Sequence, residues 1–93
     1  MNTAQQISKV ATEIETPAAK AYLDRIAAPR ATSDGVFSLM LEIQRAPKHY
    51  SDELNPTPGA IHHWEQSILL DVARSRRRDL QVVEMYTYDD NDC

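Results

Sequence analysis

Apolar residues recur at helical spacing along most of the chain. Ile7, Val10, Ala11 and Ile14 stand at i, i+3, i+4 and i+7 and put one stripe on one face of a helix over residues 3–15. Thr3 followed by Gln6 fits a capping box at its start. Pro17 breaks the pattern, because its ring clashes with the carbonyl of Glu13 and restricts Thr16 to extended geometry. The same pair restarts a helix, with Thr16 as N-cap and Pro17 at the first helical position, over residues 17–28. Tyr22, Leu23 and Ile26 are its larger apolar groups, and Pro29 closes it. Two short helices at an angle are expected here, in preference to one kinked rod.

The next apolar run is richer. Ser33 and Asp34 offer cap chemistry, and over 36–46 the polar Ser38, Glu42 and Arg45 share one side. Val36, Phe37, Leu39, Met40, Leu41 and Ile43 cover the rest, the pattern of a buried helix. Phe37, Leu39, Leu41 and Ile43 also alternate, so a strand over 36–43 competes with it. Residues 47–58 carry three prolines with Ser51, Asp52 and Asn55 and read as the main loop, with Tyr50 and Leu54 as its apolar contacts.

Thr57-Pro58 repeats the cap-then-proline device and predicts a long helix from there to about Arg78. Its expected buried stripe is Ile61, Trp64, Ile68 and Val72, widened by Leu69, Leu70 and Ala73 and facing Val10, Ile14, Leu39 and Ile43. Residues 80–88 change character, since Val82, Val83, Tyr86, Thr87 and Tyr88 favour strands. A lone strand has no stability of its own. The segment must pair with 36–43, pair with another chain, or stay helical. The fold expected is mainly α: three or four helices with a C-terminal strand as an option, or α+β if 36–43 is a strand. Residues 1–88 form one domain and 89–93 an acidic, frayed tail.

Composition narrows the function. With 93 residues there is room for one core only, and Leu, Ile, Val and Phe are about a fifth of the chain. So thin a core, with an unpartnered strand-forming segment, suggests self-association as a homodimer. Cys93 is the only cysteine, which rules out an internal disulfide or a cysteine-based zinc site. No basic region precedes a long apolar run, and no apolar stretch reaches membrane length. The expectation is an intracellular, cytoplasmic protein with no membrane partner. Two glycines support neither a dinucleotide fingerprint nor a P-loop.

Candidate chemistry is sparse. His62 and His63 are adjacent and diverge by about 100° on a helix, so they do not chelate one ion. His62 could pair with Glu65 or Gln66 on one face, with His49 or Cys93 joining from a distance, but a catalytic zinc site needs three protein ligands and no metal ligands are assigned. The carboxylates Asp52, Glu53, Glu65 and Asp71 show no spacing that converges them in a cleft. No catalytic residue and no cofactor is assigned, and the chain is read as a non-enzyme.

Charge is what remains. The first 46 residues are neutral, and residues 47–93 carry the whole net charge of −4. Within that half, Arg74, Arg76, Arg77 and Arg78 form a basic cluster, and Asp89, Asp90 and Asp92 an acidic end. Arginine forks suit carboxylates and phosphates, and tyrosine and arginine dominate interface energetics. The expected working surface is therefore Arg74, Arg76, Arg77, Arg78, Tyr86 and Tyr88, binding a larger protein. The chain would act as an adaptor, regulator or inhibitor, the kind of small acidic protein that bacteria, phages and plasmids encode. The alternative is a dimeric DNA-binding regulator using the Arg74, Arg76, Arg77 and Arg78 cluster on phosphates. Net acidity disfavours nucleic acid. A DNA-mimic reading of the acidic end is weaker still, because three aspartates make too short a run.

Overall fold

The computed structural model describes residues 2–49 and 59–91, with side chains in the second stretch through Met85. It is mainly α: four helices and, among the described residues, no strand. Helix α1 spans Thr3–Glu13, α2 Pro17–Ala27, α3 Ser33–Arg45 and α4 His63–Asn91.

The caps explain the boundaries. Asn2 caps α1, one residue before the position expected: its Oδ1 accepts from Gln5 N (2.8 Å), and Gln5 Oε1 accepts from Asn2 N (3.0 Å). Helix α1 stops where the Pro17 ring forbids a further turn. Thr16 caps α2 with Pro17 at the first position, as the sequence implies. Thr32 caps α3, accepting from Gly35 N at 3.0 Å. Residues 36–43 are helical, so the α+β alternative is not realised. A strand there would have set Val36 and Met40 on one face and Leu39 and Ile43 on the other, whereas the helix buries all four together.

Helix α4 differs from expectation at both ends. It begins at His63, later than Pro58; residues 50–58, with Thr57, Pro58, Tyr50 and Leu54, lie outside the described residues. Ile61 is held in an isolated parallel bridge with Lys48, donating to Pro47 O (2.9 Å) and accepting from His49 N (2.8 Å). That extended pairing keeps Ile61 out of the helix. At the other end, 80–88 continue the helix. Leu80 is buried against the core, and a β-branched pair such as Val82-Val83 lowers helix propensity only slightly. The strand that motivated dimerisation is therefore absent from this segment.

Helix α4 is about 43 Å long at 1.5 Å per residue, and it contacts each of the other three helices. Helices α1 and α3 run antiparallel to it and α2 runs parallel. Its buried stripe is Glu65, Leu69, Val72, Ala73 and Leu80. The expected stripe of Ile61, Trp64, Ile68 and Val72 is thus turned by about one residue: Ile61 and Val72 are buried, Ile68 is half-buried, and Trp64 is 36% exposed. The predicted partners Val10, Ile14, Leu39 and Ile43 are all in the core.

The displacement of Trp64 has a polar cause. Glu65 is fully buried at the start of α4. Its Oε2 accepts from Glu15 N (2.7 Å) and Thr16 N (3.1 Å), and its Oε1 from Thr16 Oγ1 (2.9 Å) and His62 N (2.8 Å). Burial alone would raise this carboxyl. The N–H groups of Glu15, His62 and Thr16 and the Thr16 hydroxyl outweigh it and hold Glu65 below the ordinary glutamate range.

Two outcomes follow for urea unfolding. Leu69→Ala should cost about 2–5 kcal/mol, and Trp64→Ala clearly less; the reverse order would mean that the core face of α4 is the one first expected. A depressed carboxyl stabilises the fold fully above its unfolded value and loses that contribution as pH falls through its lower folded value. Unfolding free energy should therefore drop in the acid range below the ordinary glutamate value. The drop should be shallower in Glu65→Gln; equal slopes would remove Glu65 as a cause.

Candidate protein-interaction surface

The arginine cluster lies on a helix, so successive residues turn by about 100° and do not share a face. Arg76 points onto α2. Its Nε donates to Ile26 O, which the end of α2 leaves open, and its Nη2 to Ala28 O, which also accepts from Ala31 N, both at 3.2 Å. Arg77 turns the other way, onto α3, with its guanidinium carbon 4.9 Å from the centre of the Phe37 ring. Its Nε is enclosed and has no hydrogen-bond acceptor. Arg74 and Arg78 are exposed on the outer side, Arg74 loosely paired with Asp71 at 3.4 Å. Arg78 borders a polar hollow of about 250 Å³ with Asn2, Gln6, Ser75 and Asp79. Of the six residues expected in the site, Arg76 is thus occupied within the fold, while Arg74, Arg77 and Arg78 reach two different surfaces. The side chains of Tyr86 and Tyr88 lie outside the described residues; the backbone there is α4.

Phe37 and Leu41 are the residues that sequence reasoning placed wrongly. Both were counted into a buried helix, yet they are 45% and 36% exposed. They stand one turn apart along the edge of α3 and are offset from the stripe of Val36, Leu39, Met40 and Ile43. Six large apolar residues cover a wider arc than packing against α2 and α4 can bury. The antiparallel pairing is fixed at both ends. Glu84 accepts from Ser33 N (2.9 Å) and Ser33 Oγ (2.5 Å), and Gln66 Nε2 donates to Ile43 O (3.3 Å) and Gln44 O (3.1 Å). The Ser33 hydroxyl and N–H hold the Glu84 carboxyl below its ordinary range. Between these ends α3 carries the exposed Phe37 and Leu41, and α4 sets Arg77 over the Phe37 ring.

The histidines cluster elsewhere, beside the hub of Glu65. The His62 ring stacks on Trp64 at 5.4 Å and 11° and meets His49 at 4.9 Å, and His62 Nε2 lies 3.4 Å from Glu15 Oε2. Among the described residues, no three metal-ligating side chains converge. A groove of about 310 Å³ between α2 and α3 is bordered by Arg25, Arg30 and Thr32. Arg25 is already gripped by Glu42 in two hydrogen bonds of 2.9 and 3.3 Å. The first N–H groups of α3 facing that region are taken by Thr32 and Glu84. The donors of Arg25 and of the first turn of α3 are thus already in use.

Comparison with family models, with curated proteins and with solved structures found no match to this chain. Among the described residues, no helix is long and apolar enough to cross a membrane.

Arg76 and Arg78 should separate cleanly in stability. Arg76→Ala leaves Ile26 O at the end of α2 without its donor, while Ala28 O keeps Ala31 N, and should cost about 1–3 kcal/mol. Arg78→Ala, at an exposed position, should stay within about 0.5 kcal/mol of the parent. Equal effects in urea unfolding would contradict the assignment of Arg76 to α2.

Proposed function

We propose that this chain is a non-enzymatic, cytoplasmic protein-binding module, an adaptor, regulator or inhibitor that occupies a surface of a larger protein. One observation carries the reading. Phe37 is 45% exposed in a folded domain with a thin core, and Arg77 lies over its ring rather than in solvent. Phenylalanine, leucine and arginine side by side on two helices antiparallel to each other make a rigid, apolar and directional face, with little ordering entropy left to lose on binding. In this reading the arginine cluster takes part through Arg77, while Arg76 serves the fold.

The DNA-binding alternative is left with less support. Arg76 is spent on α2, and the exposed Arg74 and Arg78 stand beside Asp71 and Asp79. The homodimer has lost its motive in an unpaired strand.

A photo-crosslinking amino acid at position 41, in cells, tests the reading against the same residue at position 20 on the exposed side of α2. Position 41 should yield a discrete adduct with another protein that position 20 does not. Identical adducts at both positions, or none at 41, would end the proposal.

A further inference from the structure

We infer that α4 carries a self-complementary face beyond the core, through which two copies of the chain pair with their α4 helices antiparallel, Val82 on the partner's Met85 and Arg78 on the partner's Asp89.

This surface is separate from the Phe37 edge. Leu80 is the last residue of α4 buried in the core, yet the helix runs on from Gln81 to Asn91. Residues 81–85 are all exposed, among them Val82 at 47% and Met85 at 64%. Glu84 reaches back to Ser33, and the molecule is 59 Å long against 24 and 17 Å across. The projecting end has little of its own to keep it helical. Val82, Val83, Tyr86 and Thr87 are weak helix formers. Asp89 and Asp90 fall in the last turn, at the negative end of the helix dipole, and no basic residue shares that turn. A cation brought by another molecule would offset both charges.

The chain holds such a cation at the matching place. Arg78 is exposed and makes no ion pair among the described residues, Asp79 beside it included. Arg78, Val82, Met85 and Asp89 stand at i, i+4, i+7 and i+11, which places the four positions within about 60° of arc. That arc lies opposite the buried stripe of Leu69, Val72, Ala73 and Leu80. The intervals of four, three and four read the same in both directions. A two-fold axis between Val82 and Met85 therefore sets each on the other's copy and brings Arg78 against the partner's Asp89 at both ends, the reciprocity an isologous contact requires. A parallel pair in register would set Arg78 on Arg78 and Asp89 on Asp89, so charge selects the antiparallel arrangement. The motive for pairing is this helical end, not a strand.

Sedimentation equilibrium of the full chain, from about 10 µM to 1 mM, reads the pairing. A weak monomer–dimer equilibrium is expected, because the contact from Arg78 to Asp89 is only about 16 Å long. Arg78→Glu and Asp89→Arg should each weaken the dimer at least about ten-fold, and the two together should restore it to within about three-fold of the parent. Net charge alone predicts otherwise, since Asp89→Arg makes the acidic chain less negative and would tighten association. A monomer at every concentration would overturn the inference. So would a dimer indifferent to both single exchanges, or one lost in both and not restored in the double variant.

Discussion

A single buried carboxylate joins parts of the chain fifty residues apart. Glu65 receives hydrogen bonds from the junction between α1 and α2 and from the residue that precedes α4, and no water-facing surface is left to it. Such a group is costly to bury alone and is tolerated only when its lone pairs are filled. Four donors fill them here. Thr16 serves twice, donating its hydroxyl to Glu65 while accepting from Ala19 N to start α2. The rotation of α4 about its own axis follows from this. With Glu65 turned inward, Leu69, Val72, Ala73 and Leu80 fall on the core side and Trp64 falls outside.

The same logic repeats along α4, which ties down the open ends of its neighbours with side chains. Glu65 holds the start of α2 and Arg76 its end; Gln66 holds the end of α3 and Glu84 its start. Each contact fills backbone groups that a short helix cannot satisfy within itself. Charge signs agree with the helix dipoles, carboxylates at N-termini and a guanidinium at a C-terminus. A chain with few large apolar residues thereby gains direction and register from polar contacts. The α3–α4 seam, fixed at both ends, then presents Phe37, Leu41 and Arg77 on a rigid frame.

Much of the fold was legible in the sequence. Thr16-Pro17 marked the start of α2, the stripe of Val10 and Ile14 marked the buried side of α1, and Val36, Leu39 and Ile43 marked that of α3. Local rules failed where a distant partner decided. A glutamate at the third position of a helix is a capping signal, but nothing near it announces that Glu15 and Thr16 will surround it. The strand-like letters of 80–88 were read by local preference, and attachment through Leu80 and Glu84 overrode it. The arginine cluster was visible as composition; its division among α2, α3 and solvent needed the helix phase, which Glu65 sets. Phe37 and Leu41 were visible as apolar, and only the position of α4 left them at an edge.

Amide hydrogen exchange of the intact protein at neutral pH tests the central claim most directly. The N–H groups of Glu15 and Thr16 sit between two helices, where a simple linker would exchange freely. If Glu65 joins α1–α2 to α4 as part of the core, these two amides and that of His62 exchange only when the whole domain unfolds, as slowly as that of Leu69. Rapid exchange at Glu15 and Thr16, with Leu69 still protected, would show a fold that stands without this carboxylate and would contradict the account.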